Sequence, residues 1–337
     1  MSNDQCLMTD RPPHLFGAHS RALTMATATA VFVWFSLSAS AAEPLSSSDA
    51  LQTMLNQTVE STLAKFASKN LRSNQLAVTL VDLRQTNQPS RASYRGNVQI
   101  YPASVIKLFY LAAAHRWMED GKLADTPELR RAMKDMIVDS YNEATHYVVD
   151  VLTGTTSGPE LPDAELDVWF EKRNAVNRYF WGLGYTNVVA NKKPWCEGPY
   201  GRESQSIKRQ KPNRNMLSTD DTARLLVEIV RGQSVSARHS GEMLELLKRD
   251  PYKPLEEGGE PDQGNAFTGL ALRDRPGAKL WSKAGWTSQV RHDAAMVELA
   301  NGGRFVLVTF TEGHSNERGI IEAVCRAIVR ELSGARE

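Results

Sequence analysis

"YPASVIKLFYLAAA", residues 101–114, sets a serine and a lysine one helical turn apart at the mouth of an apolar run. A helix over 104–120, stopped by Gly121, puts Ser104 and Lys107 on one face, because positions i and i+3 are neighbours on a helix surface. The amine can then reach the hydroxyl. A lysine buried at such a place loses proton affinity and can serve as a base. A serine in the first turn also has the helix N-terminal amides beside it, which suit a developing oxyanion. The competing reading is plainer: serine is a good N-cap and lysine a good helix residue. Ser-x-x-Lys occurs once in the chain, and the pair alone does not choose between nucleophile and cap.

Working outward, residues 47–69 carry Leu51, Met54, Leu55, Val59, Leu63 and Phe66 at helical spacing, with serines ahead of them as N-caps. Residues 75–83 and 90–99 read as two strands joined by "RQTNQPS". Residues 125–247 are mostly helical, except for an irregular stretch between Gly184 and Asn215. Its tryptophan, tyrosine and cysteine favour a packed loop over a disordered one. After "EGGEPDQGN", residues 278–287, 290–300 and 304–313 read as three antiparallel strands, with Asn301-Gly302 as a hairpin turn. An amphipathic helix closes the chain. The expected fold is α+β: one five-stranded antiparallel sheet covered by the two terminal helices. The sheet lobe takes 43–103 and 265–337, the all-helical lobe takes 104–264, and a site is expected in the cleft between them.

Two further motifs bear on Ser104. "DSYNEAT" (139–145) sets Ser140 and Asn142 one residue apart, able to point the same way in an extended turn or to cap the next helix. "WSKAGWT" (281–287) puts Lys283 on a strand, with Gly285 where a ligand can lie along the backbone. An exposed strand lysine followed by a bulge glycine is its plain alternative. In chain order, S-x-x-K, S-x-N and K-[small]-G form the signature set of class A β-lactamases and penicillin-binding proteins. Each falls in the matching context: helix start, turn in the helical lobe, strand of the sheet. The chain therefore resembles that superfamily over residues 47–335. "NRNMLSTDDTARLL" (213–226) and "VRHDAAMVE" (290–298) are also similar to segments the family has at these places.

The resemblance implies Ser104 as the nucleophile that attacks a β-lactam or acyl-D-Ala-D-Ala carbonyl, with Lys107 helping to deprotonate it. Ser140 would relay a proton to the leaving nitrogen. Lys283 would hold Ser140 and the substrate carboxylate, and Asn142 would bind the substrate's side-chain amide. The strand Ala284, Gly285 and Trp286 would line the substrate, and the backbone N–H groups of Ser104 and Trp286 would form the oxyanion hole. Arg291 stands where some members keep a cation for the substrate carboxylate; an exposed strand arginine is its rival reading. Ala284 replaces the usual threonine. Ser140 follows Ser104 by only 36 residues, short for the family, which implies a missing roof and a more open site. The family's Glu-x-x-Leu-Asn string is absent, leaving Glu197 in "PWCEGPY" and Glu203 in "YGRESQ" as loop carboxylates able to activate the hydrolytic water. The expected activity is β-lactam hydrolysis through an acyl-serine. With slow deacylation the chain would instead act as a D-Ala-D-Ala carboxypeptidase on peptidoglycan peptides. A catalytically silent, lactamase-like binding module is the third reading.

The bulk numbers agree with a soluble globular protein: 337 residues, 41% hydrophobic, 23% charged, net charge +1. Nothing in them points to a nucleic-acid partner. A small-molecule β-lactam or peptidoglycan peptide is the expected partner, and a monomer the expected state. Arg21, an apolar stretch and Ala39-Ser40-Ala41 read as a secretory signal over 1–42, cleaved to release an exported protein. The apolar part is short for a membrane span of about 20 residues. Cys6 would leave with the signal. Cys196 and Cys325 could pair in an oxidising compartment, which two cysteines do not prove. His115, His146, His239, His292 and His314 lack metal-site spacing, so no metal or cofactor is expected. "TEGHSNERG" around Ser315 fails as a nucleophile elbow, since Glu317 replaces the second glycine and no histidine follows.

Overall fold

The computed structural model describes residues 45–332 apart from 86, 196–197 and 255–261. The expected signal (1–42), Cys196 and Glu197 lie outside the described residues.

Seven strands form one sheet: β1 (Ser46–Ser47), β2 (Leu76–Asp82), β3 (Ser90–Tyr94), β4 (Lys248–Arg249), β5 (Lys279–Trp286), β6 (Val290–Glu298) and β7 (Arg304–Glu312). Their order across the sheet is β1-β3-β2-β7-β6-β5-β4. The five strands read from the sequence are its antiparallel centre, β3-β2-β7-β6-β5. The five-stranded antiparallel expectation is corrected at both edges. β1 pairs parallel with β3, and β4 pairs antiparallel with β5, so the sheet is mixed and seven-stranded. Each added strand is two residues long, too short to show a period of two in the sequence.

The helices are α1 (Asp49–Lys65), α2 (Lys107–Glu119), α3 (Pro127–Lys134), α4 (Asn142–Thr153), α5 (Asp163–Arg173), α6 (Ala175–Gly182), α7 (Gly201–Arg209), α8 (Thr219–Val230), α9 (Ala237–Leu247) and α10 (Gly319–Leu332). Among the described residues no helix is long and apolar enough to cross a membrane. Strand alternation divides the core in two. Leu76, Val78 and Leu80 of β2, Ala295 and Val297 of β6, and Phe305 and Leu307 of β7 pack with Leu55 of α1 and with Ile320, Val324 and Ile328 of α10. Their alternates Ala77, Val81, Ala294, Met296, Val306 and Val308 pack with the helical lobe. Cys325 of α10 is buried in the first cluster as a free thiol, and burial pushes its pKa up to about 12.

α2 is the axis of the helical lobe. Leu108 through Ala114 are buried without exception, because a helix apolar on every side has no face to give to water. Lys107, at its first turn, is carried inside with it. The stretch expected to be irregular between Gly184 and Asn215 contains α7, and its two ends are joined by the bridge Val189–Met216. It is packed, as expected. The Trp195 ring lies 4.5 Å from that of His146, and Asn215 binds the backbone of Asn191 and Lys192.

Candidate active site

Ser104 lies in a 3₁₀ turn, Ala103–Ile106, that feeds directly into α2. Ala103 there has φ 46°, a left-handed conformation costly for a residue with a Cβ. Two neighbours on the sheet hold the turn. His292 of β6 donates from Nε2 to Tyr101 O at 2.9 Å, while its Nδ1 accepts from Thr311 N at 3.1 Å. Gly285 of β5 backs onto the turn itself: a Cβ there would lie 2.6 Å from Pro102 O, 2.8 Å from Ser104 N and 2.9 Å from Val105 N. The space expected to admit a ligand along the Gly285 backbone is thus filled on that side by the Ser104 turn.

Lys107 reaches the turn that precedes α4. Lys107 Nζ donates to Ser140 O (2.5 Å), Ser140 Oγ (3.3 Å) and Asn142 Oδ1 (2.9 Å). Proximity along a helix says which groups can meet; a lysine amine also goes where acceptors converge. They converge here because the chain leaves α3 through a π-helical turn, Asp135–Asp139, and places Ser140 at φ 61° before α4 begins at Asn142. From the other lobe, Lys283 Nζ reaches the same Ser140 Oγ at 3.0 Å. One hydroxyl therefore accepts from two lysines. Its two lone pairs are taken, and its own proton is left for a group in the cleft.

Lys283 is fully buried, and its remaining contacts are Gln263 Oε1 (2.6 Å) and Ala284 O (2.8 Å). Burial, then the charges of Lys107 and Arg249, pull its pKa well below the ordinary lysine range; Asp293 opposes them. Asp293 is buried behind Ala284, bonded to Thr268 N, and burial raises its pKa.

Arg291 is buried rather than exposed on its strand. It donates to Ala266 O at 2.7 Å and stacks 4.0 Å from the Phe267 ring centroid. With Arg318, Trp286, Thr287 and Ser315 it lines a cavity of about 380 Å³ beyond the end of β5. Two aromatic side chains at the candidate site are exposed: Trp286, expected to line the substrate, and Tyr141, between Ser140 and Asn142.

Glu203 faces into the helical lobe. It is buried on α7, 2.8 Å from Arg173 Nη2 and 2.9 Å from Ser157 Oγ, with Lys193 at 3.7 Å. A carboxylate committed to a buried guanidinium serves the lobe's structure, and this corrects its candidacy as the deacylating base. Among the described residues one group could hold a metal ion: His115, His239 and Glu242. A hydrogen-bond chain accounts for it. The two Nδ1 atoms are 2.7 Å apart, His239 Nε2 lies 3.0 Å from Glu119, and Arg130 already holds the Glu242 carboxylate at 2.6 Å. The group sits about 12 Å along α2 from Lys107.

The structure brings Ser140, Asn142, Lys107 and Lys283 together. Sequence reasoning missed Gln263, His292 and Tyr141. An aromatic between two polar site residues was a usable signal for Tyr141.

Compared with known proteins, the chain matches the β-lactamase enzyme family over residues 124–333. That span holds Ser140, Asn142 and Lys283 and begins beyond the Ser104 turn. No curated protein matches in sequence. Among solved structures, a β-lactamase from Sphaerobacter thermophilus is 18% identical with a TM-score of 0.58, covering 85% of this chain and 99% of that one. A PBP-A mutant held as an acyl-enzyme with penicillin G is 20% identical with a TM-score of 0.60, covering 85% and 98%. The TLA-1 extended-spectrum β-lactamase is 14% identical with a TM-score of 0.59, covering 84% and 99%. At these identities the likeness establishes the fold.

Proposed function

The chain belongs to the β-lactamase enzyme family, and from that premise we propose that it is a serine hydrolase that opens β-lactam amides through an acyl-Ser104 intermediate. The observation that carries the reading is the Ser140 hydroxyl held between Lys107 and Lys283. In this reading Ser104 attacks the carbonyl, and its proton passes to the Lys107–Ser140 pair. Ser140 then delivers a proton to the departing nitrogen as the C–N bond breaks. The Ser104 and Trp286 amides receive the oxyanion, since Gly285 seats its strand against the Ser104 amide. Asn142 takes the substrate amide, and Arg291 with Arg318 supplies positive charge for its carboxylate.

Hydrolysis of the acyl-enzyme needs a base. With Glu203 occupied, Glu197 is the remaining loop candidate. The described part of the loop supports it: Trp195 packs on His146, one turn beyond Asn142 on α4, and Pro194 O bonds His146 Nε2. The sequestering of Glu203 also favours a second reading, a penicillin-binding D,D-peptidase with a long-lived acyl-enzyme. The N-terminal segment supports export of either enzyme.

A fluorescent penicillin tests the proposal. Covalent labelling of the wild type and none of Ser104→Ala is expected. Equal absence of label in both would sink every acyl-enzyme reading. An adduct that decays quickly in the wild type and persists in Glu197→Gln identifies a lactamase with that base. Persistence in both identifies the peptidase.

A further inference from the structure

Gln263 is buried between the lobes, and both ends of its side-chain amide are in use. Its Oε1 accepts from Lys283 Nζ at 2.6 Å and from Ala284 N at 3.0 Å. Its Nε2 donates to Ile137 O at 3.0 Å and Val138 O at 2.9 Å. The orientation of the amide follows from its partners: two backbone carbonyls can only accept, and the Ala284 N–H can only donate. One end is therefore fixed to β5, which carries Lys283. The other is fixed to the π-helical turn that leads into Ser140.

We propose that Gln263 is a positioning residue that locks the Lys283 ammonium onto the Ser140 hydroxyl. Lys283 Nζ donates three hydrogen bonds, each to a neutral acceptor: Ser140 Oγ, Gln263 Oε1 and Ala284 O. Removing the Gln263 acceptor frees the ammonium to rotate away from Ser140 and also weakens its hold on a proton, because an acceptor bonded to a cation favours the charged form. The charged groups facing Lys283 are Lys107 from α2, Arg249 from β4 and Asp293 from β6. Two of them repel a proton and one retains it, so the neutral amide works against a net unfavourable field. Arg249 also donates to Ile137 O, at 2.9 Å, so the turn keeps one anchor when the amide is lost.

The inference rests on the acyl-serine reading for its rate prediction but not for its titration prediction. Two variants of the full chain separate positioning from packing: Gln263→Met, of similar shape and without polar atoms, and Gln263→Glu, which sets a carboxylate against Lys283. The labelling rate with fluorescent penicillin is followed from neutral to alkaline pH. The amine of Lys283 is titrated by nitrogen NMR, assigned with Lys283→Arg. Gln263→Met is expected to label about tenfold to a hundredfold more slowly, with its alkaline limb and the Lys283 titration moved to lower pH. Gln263→Glu is expected to move both to higher pH. Folded variants whose limbs and titrations stay at the wild-type positions, or move in the same direction, overturn the proposal. If the wild type takes no label, the acyl-serine reading fails while the opposed titration shifts still decide this one. If neither variant folds, the wild type decides: its Lys283 ammonium must exchange protons with water far more slowly than exposed lysines, and fast exchange overturns the proposal.

Discussion

His292 links the acid stability of the fold to the placement of Ser104. Its two ring nitrogens have opposite jobs: Nδ1 accepts from Thr311 N and Nε2 donates to Tyr101 O. Only the neutral ring can do both. A proton on Nδ1 would face the Thr311 N–H. Burial accordingly takes the His292 pKa from its ordinary 6.5 down to about 4, against the bond to the Tyr101 carbonyl that raises it. Between those values the unfolded chain binds a proton that the folded chain refuses. The His292 contribution is therefore complete above pH 6.5 and is lost as pH falls toward 4. A displacement of that size corresponds to about 3 kcal/mol of stability. His115, lowered to about 3 by burial and then by the charge of His239, pulls the same way, so the wild-type curve alone cannot isolate one ring. His292→Gln can, since it does not titrate. Urea unfolding followed by tryptophan fluorescence should show the variant about 1–2 kcal/mol less stable at neutral pH, from imperfect hydrogen bonds. That deficit should shrink by about 3 kcal/mol on acidification, until the variant equals or passes the wild type. Parallel stability curves for the two proteins would refute the argument.

Other perturbations read other contacts. Gly285→Ala drives a Cβ into the backbone of the Ser104 turn, and a displacement of about 1 Å should cut the penicillin labelling rate on the order of a hundredfold; wild-type labelling would mean the strand can back away freely. Ser140→Ala removes the common acceptor of two lysines, with an expected loss of about 10²- to 10⁴-fold in acylation rate and little change in thermal midpoint. Glu203→Gln breaks a buried ion pair with Arg173 and should cost about 3–5 kcal/mol in denaturant unfolding while leaving the acyl-enzyme lifetime unchanged; a lengthened lifetime would return Glu203 to the hydrolytic water.

What could be read in advance followed the physics of each signal. The five central strands were legible because residues such as Leu76 to Val81 are buried on both faces and bounded by turns. The meeting of Ser140 and Lys283 was legible because the motifs that carry them hold fixed residue types at fixed spacing. α7 was not, because its buried side chains are Glu203 and Ser206. A helix whose inner face is an ion pair shows no apolar stripe. The burial of Arg291 was hidden for a related reason: its partners, Ala266 O and the Phe267 ring, come from a segment that reads as plain loop. Gln263 was hidden in "EGGEPDQGN", where nothing local distinguishes an amide with four partners from one in water.

Gly285 and His292 are cross-strand partners on β5 and β6, directly opposite each other in register. One has no Cβ, which lets the strand touch Pro102 and Ser104; the other supplies the hydrogen bond that holds Tyr101. Between these two supports Ala103 keeps φ 46°, a conformation costing on the order of 1–3 kcal/mol that persists only where the surroundings over-determine it. A single rung of the sheet thus fixes the turn from both ends, and Ser104 inherits its position from residues that never touch its hydroxyl. The same rung explains why the sheet lobe has to be present for Ser104 to be placed. Loosening either partner should therefore slow acylation before it unfolds the protein, because the strain at Ala103 is released first.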